Sequence, residues 1–187
     1  MTGLRVLMAT PAAPEPLDRV PVLRVLAKCS EEGGPVFHLV ERSVTDAAGP
    51  PPGPYDLVVI PGGRGPEHPP GSPLALALRT HARAGRPVYT ICSGAFLLAG
   101  TGLLRGRTVA THSRKAAALA RVGGCRIRGG LIRDGFLTSA GGRSAGHVKA
   151  LAIALRIVAD HAPQTLHRVL ERLDVAEDSL PVLEGMA

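Results

Sequence analysis

Short apolar runs alternate along this chain with longer segments whose apolar residues recur every three or four positions. "LRVLMA" (residues 4–9) stops at Thr10-Pro11 and has the pattern of a buried first strand. "LDRVPVLRVLAKC" (17–29) carries helical spacing and stops at Gly33-Gly34. "PVFHLVE" predicts a second strand, and "YDLVVIPGGRG" (55–65) a β-branched third strand that ends in a Pro-Gly-Gly loop. Between them, "AAGPPPGP" (47–54) is a turn-rich connector within one domain.

"GSPLALALRTHARAG" bears a complete helix signature, with Ser72 as N-cap, Pro73 at the first helical position and Gly85 past the end. "PVYTI" then reads as a strand, and "GAFLLAGTGLL" as the helix after it. "RTVAT" predicts another strand, and "HSRKAAALARVGG" a helix closed by Gly123-Gly124. "CRIRGGLIRDGFLTSAGG" reads as short strands joined at Asp134-Gly135, a hairpin signal. From Ala145 "AGHVKALAIALRIVADH" is a long apolar helix, and an amphipathic helix follows Pro163. Strands alternating with helices imply an α/β fold, a mostly parallel sheet with helices on both faces, spanning residues 1–187 as a single domain.

Composition narrows this picture. Hydrophobic residues make up 45% of the 187, aromatics only 3%, and Trp is absent, so the core must be built from Leu, Val, Ile and Ala. No apolar run reaches membrane-span length, and the N-terminal residues lack the zones of a signal peptide, so a cytoplasmic protein is expected. The net charge is +7, densest from Arg105 to Arg133. Nucleic-acid binding would want stacking aromatics or a reading helix on one face, and neither is visible. Solvated faces, or attraction of small anions, account for the charge.

Three cysteines, Cys29, Cys92 and Cys125, are widely spaced, with no Cys-x-x-Cys pair or Cys/His cluster, so neither a disulfide framework nor a metal is expected. Cys92 differs from the others because it stands where "PVYTI" runs into "CSGAF". In a doubly wound sheet, ligands gather beyond the carboxyl ends of the strands. A thiol on a tight strand-to-helix turn there resembles the nucleophile elbow of hydrolases, and a helix start favours thiolate. A buried, inert cysteine is the competing reading for Cys92, and the better one for Cys29 and Cys125. The amides of Gly62 and Gly63, in the loop ending the neighbouring strand, can join that of Ser93 around a developing negative charge.

A second motif, "GRSAG" (142–146), is a literal Gly-x-Ser-x-Gly that offers Ser144 as a nucleophile. Only 41 residues follow Gly146, and Asp160, His161 and His167 all fall on or between helices, so packing glycines explain it better.

At "YDLVVIPGGRG", "TICSGAFLLAGTGLLRGRTVATH" and "LIRDGFLTSAGG", the chain resembles the ThiJ/PfpI superfamily (class I glutamine amidotransferase-like). The resemblance runs from about Leu4 to Leu173 and is nearest to the isonitrile hydratases and the sensor domains of AraC-type regulators. It implies a flavodoxin-like fold, a homodimer, and Cys92 as a cysteine nucleophile without cofactor or metal. It also implies an acid from the first strand–helix connection. "LDRVPVLRVL" puts Asp18 in that position, with Glu15 as the alternative acid. His112 stands where many members carry a histidine near the cysteine. Pro21-Val22 and Arg24 replace the family's Gly-Pro and Glu, Ser113 replaces an aromatic, and Ser93 rather than His follows Cys92. No late His-x-Glu pair completes an amidotransferase triad.

The implied function is isonitrile hydratase-like, acting on a small electrophilic substrate. Thiolate would add to carbon, Asp18 would act as acid and then base, and the Ser93 hydroxyl would position water. A glyoxalase- or deglycase-like activity on dicarbonyls uses the same groups. A redox or small-molecule sensor is the alternative of another class. The chain ends at "LDVAEDSLPVLEGMA" without a helix-turn-helix pair, so direct transcription control is not expected.

Overall fold

The computed structural model describes residues 3–50, 53–64, 71–143 and 146–176. The first half contains β1 (Gly3–Thr10), β2 (Ala13–Pro14), α1 (Pro16–Glu31), β3 (Val36–Ser43), β4 (Leu57–Ile60), β5 (Gly63–Arg64) and α2 (Pro73–Arg83). Next come β6 (Val88–Ile91), a four-residue 3-10 turn (Cys92–Ala95), α3 (Phe96–Ala99), β7 (Thr108–Val109) and α4 (Ala116–Gly123). The remainder is β8 (Arg126–Ile127), β9 (Gly130–Asp134), β10 (Leu137–Gly141), α5 (Gly146–His161) and α6 (Leu166–Arg172).

Six strands form one sheet in the order β3-β1-β4-β6-β10-β9. All neighbours are parallel except the β9–β10 hairpin, where Asp134 opposes Leu137 and Gly135 takes φ 61°. The central strands "LVVI" and "VYTI" are buried at every position. That is why they are continuously apolar, since helices cover a parallel sheet on both faces. Side-chain alternation divides the core accordingly. Val6, Met8, Leu57 and Val59 pack under α1, α5 and α6, while Leu7, Ala9, Val58 and Ile60 pack under α2, α3 and α4.

Helix ends follow their sequence signals. The Ser72 hydroxyl accepts the Ala75 amide at 3.2 Å, and α4 closes on Gly124 in the left-handed region. Two expectations change. The helix after Cys92 is only four residues long, because "AGTGLLRG" turns through Gly102 and Gly106, both at positive φ. "RTVAT" contributes only Thr108–Val109, paired with β8 off the main sheet. Side chains of the hairpin hold this segment: Asp134 Oδ2 accepts the Thr108 amide at 2.8 Å, and Ser139 Oγ accepts the Ala110 amide at 2.9 Å. Among the described residues, no helix is long and apolar enough to cross a membrane.

Candidate active site at Cys92

β4 and β6 are parallel neighbours, so the residues after Ile60 and Ile91 emerge side by side at the carboxyl edge of the sheet. Cys92 is the first residue beyond β6 and takes φ 55°, a left-handed conformation costing roughly 1–2 kcal/mol for a residue with a Cβ. The surroundings enforce it. A Cβ at Gly94 would meet the Ile60 carbonyl oxygen at 2.2 Å, so the turn presses against the end of β4 in a way only glycine permits. The Thr111 hydroxyl donates to the Cys92 carbonyl at 2.8 Å.

The loop from β1 delivers Asp18. Glu15 is the N-cap of α1, accepting the Leu17 amide through Oε1, and its own amide donates to the Gly62 carbonyl at 2.8 Å. The helix then turns Asp18 inward while Glu15 stays exposed. Asp18 is fully buried and its Oδ2 accepts the Gly62 amide at 3.1 Å. Its other oxygen, Oδ1, is buried with no aligned hydrogen-bond partner among the described residues. The Cys92 thiol is near enough to act on the carboxyl. Burial raises the Asp18 pKa from 3.8 to about 6, against the opposing pull of the Gly62 amide and the Lys149 ammonium.

The thiol is raised as well, by its own burial first and then by the charge of Asp18. Lys149, the Ser93 amide and Lys115 pull the other way without prevailing. A start of helix would be expected to favour thiolate. Here the turn is four residues of 3-10 helix with little dipole, and desolvation wins.

Ser93 and the two glycines complete the cluster. The Ser93 hydroxyl accepts the Gly63 amide and donates to the Gly63 carbonyl, each at 3.1 Å. The resting amides of Gly62 and Gly63 therefore point at Asp18 and Ser93, and the hydroxyl expected to position water is bonded to the loop. A Cβ at Gly62 would meet Asp18 Oδ2 at 2.4 Å, Cys92 Cβ at 3.0 Å and Ser93 Oγ at 3.1 Å. Three side chains thus converge on one missing methyl. Gly62→Ala should push Asp18 off its amide, cutting turnover by roughly 10-fold or more and lowering the melting midpoint by several degrees. Steady-state kinetics beside a thermal melt would check this, and wild-type kinetics in the variant would show that the close approach is dispensable.

His112 is half-buried and N-caps the 3-10 turn Ser113–Lys115, its Nδ1 accepting the Arg114 amide at 3.2 Å. Among the described residues no hydrogen bond joins it to Cys92, and burial plus the charges of Lys149, Lys115 and Arg114 keep its pKa low. Cys29 faces the Thr165 hydroxyl at 3.2 Å and Cys125 the Leu119 carbonyl, both buried with raised pKa, as inert core thiols. Ser144 lies outside the described residues. Asp160 and His161 are committed elsewhere: Tyr89 donates to Asp160 Oδ2 at 2.8 Å, and its hydroxyl lies 3.3 Å from His161 Nε2.

Two contributors escape sequence reasoning. Thr111 holds the elbow through its hydroxyl, and Lys149, 3% exposed on α5, acts on Asp18 and Cys92 alike. The signal for Lys149 is present in "HVKALAIAL", where a lysine interrupts an otherwise apolar stripe at Lys149, Ile153 and Ile157. Among the described residues no cluster of His, Cys, Asp and Glu is arranged to hold a metal ion. A separate groove of about 670 Å³ between Pro54, Tyr55, Pro73 and Leu76 is largely apolar. Its imidazole, His81, is already bonded to the Pro87 carbonyl, so volume there comes without chemistry.

The DJ-1/PfpI family model matches residues 22–157. The chain belongs to the DJ-1/PfpI family. It is 31% identical over 122 residues to an isonitrile hydratase from Pseudomonas putida, covering 62% of this chain and 51% of that protein. An uncharacterized protein from Streptomyces lividans is 43% identical over 72 residues, covering 36% of this chain and 48% of that protein. The chain spans about half the length of the curated relatives it matches. Among solved structures, Drosophila melanogaster DJ-1beta superimposes with a TM-score of 0.74 at 19% identity, over 94% of this chain and 100% of that one. A ThiJ/PfpI family protein from Pseudomonas syringae does so at 0.68 and 18% identity, over 93% and 76%. At these identities the structural likeness concerns the fold, which is the flavodoxin-like arrangement of the family.

Proposed function

We propose that this chain is a cofactor-independent enzyme in which Cys92 adds to an electrophilic carbon of a small molecule and Asp18 moves the protons, with isocyanides as the first substrate class. The observation that carries this reading is a strained thiol facing a fully buried carboxyl whose second oxygen has no aligned partner. Sequence likeness to an isonitrile hydratase adds support.

The charges at rest set the order of events. With the Asp18 pKa near 6 and the thiol raised, neutral solution holds a carboxylate beside a thiol. Asp18 therefore first accepts the thiol proton as sulfur bonds to the isocyanide carbon. The protonated carboxyl then delivers that proton to the same carbon, leaving a thioimidate on Cys92. Asp18, again a carboxylate, takes a proton from the incoming water as its oxygen bonds to carbon, and passes that proton to the nitrogen. Collapse of this intermediate breaks the carbon–sulfur bond, the hydroxyl proton returns through Asp18 to sulfur, and an N-substituted formamide is released. One water is consumed and no oxidant or reductant is required.

Peroxide sensing is the weaker reading, because oxidation follows thiolate character, and burial with the Asp18 charge holds this cysteine as a thiol. A panel of alkyl and aryl isocyanides, methylglyoxal and simple esters, followed by NMR, tests the proposal. Formamide from the isocyanides supports it. Lactate from methylglyoxal alone would move the reading to the glyoxalase-like alternative, and sulfenic acid on Cys92 without any turnover would move it to a sensor.

A further inference from the structure

Lys149 stands in the first turn of α5, on the stripe that continues through Ile153 and Ile157, both fully buried. Ala150 and Ala154 flank it and are equally buried, while Lys149 itself is 3% exposed. Its ammonium makes no hydrogen bond and no ion pair among the described residues. Stability gives no reason for a lysine here. Enclosing a lysine is costly, a cation is disfavoured at a helix N-terminus, and fixing a long side chain loses rotamer freedom.

What this ammonium faces supplies the reason. α5 packs against α1, β6 and β10, and Lys149 acts on Asp18 from α1, on Cys92 beyond β6 and on His112 ahead of α4. The other charges bearing on these groups are Glu15 at the start of α1, and Arg114 and Lys115 beside His112. Asp18 Oδ1 is buried without a hydrogen-bond partner among the described residues, and Lys149, nearly wholly enclosed, is the cation that bears on the same carboxyl.

We infer that Lys149 is a positioning residue of this site, its ammonium holding the single negative charge that Cys92 and Asp18 share, whichever of them carries it. The inference rests on the reading of Cys92 and Asp18 as one reacting pair. The Gly62 amide favours charge on Asp18 only, and the Ser93 amide favours charge on sulfur only. A cation acting on both keeps the charge within the pair as the proton crosses from sulfur to oxygen.

The test is the pH dependence of Cys92 alkylation by iodoacetamide, read by mass spectrometry of the peptide carrying Cys92, which needs no substrate. Lys149→Met should raise the apparent thiol pKa by about one unit and slow alkylation at neutral pH about 10-fold. Lys149→Arg should stay near the wild-type profile. Lys149→Gln carries the same titration if the methionine variant does not fold. A Lys149→Met or Lys149→Gln profile superimposed on that of the wild type would overturn the inference. Asp18→Asn, run alongside, should shift the profile downward. Were it to leave the profile unchanged, the pairing of Cys92 with Asp18 would fail instead.

Discussion

Asp18→Asn is expected to lose most turnover and yet to be more stable than the wild type at neutral pH. The loss follows from the proposed role, in which the same carboxyl accepts the thiol proton, protonates the adduct and then draws a proton from water. Removing a positioned acid–base group typically costs 10²–10⁴-fold in rate, roughly, and three proton movements depend on this one. The gain in stability follows from its burial. Below about pH 4 the carboxyl is protonated whether the chain is folded or unfolded, and the two proteins should melt alike. Between about pH 4 and pH 6 the unfolded chain releases this proton while the folded chain retains it, so the wild type loses stability as pH rises. Above pH 6 the full penalty is present, on the order of 3 kcal/mol for a shift from 3.8 to about 6. An amide oxygen can still accept the Gly62 amide, so the variant avoids this penalty and keeps the bond. Thermal melts of both proteins from pH 4 to 8 would show the difference opening with pH. A difference independent of pH would mean that Asp18 is not the buried, raised acid described above.

Cys92→Ala is expected to abolish turnover, by on the order of 10⁴-fold or more, while the fold persists. Alanine keeps the Cβ, and the left-handed turn is imposed by Gly94 against β4 and by the Thr111 hydroxyl rather than by sulfur. The change in melting midpoint should therefore be small, a few degrees at most. Cys92→Ser discriminates further. Its hydroxyl is much harder to ionise than a thiol, so a serine variant should be nearly as inactive even though it can donate to Asp18. Substantial hydration by either variant, measured as formamide production, would remove sulfur from the chemistry.

Much of this arrangement was legible in the residues. The unbroken apolar runs "LVVI" and "VYTI" identify central parallel strands because both faces of such strands are covered. Asp134-Gly135 marks the hairpin because glycine supplies the positive φ the turn requires. "TICSGAF" is a strand end and places Cys92 at the carboxyl edge, whereas Asp18 is indicated only by the family resemblance of "LDRVPVLRVL", since it follows β1, which β4 separates from β6. Glu15 and Asp18, three residues apart, were separable only in three dimensions, where one caps α1 outside and the other turns into the core. The directions of the Gly62, Gly63 and Ser93 bonds were not legible either. They depend on sub-ångström placement of two loops, and a run of small residues permits several arrangements. Lys149 was hidden by distance, since 57 positions separate it from Cys92 along the chain and only the packing of α5 unites them.

The central claim is that chemistry passes through the sulfur of Cys92 and no other nucleophile. Its most direct test follows two quantities in one sample during slow treatment with iodoacetamide: the fraction of Cys92 alkylated, by peptide mass spectrometry, and the remaining rate of isocyanide hydration. Cys29 and Cys125 are buried and should react far more slowly. Activity should fall in direct proportion to Cys92 alkylation, and excess substrate should slow both together. Undiminished hydration by protein whose Cys92 is fully alkylated would contradict the account.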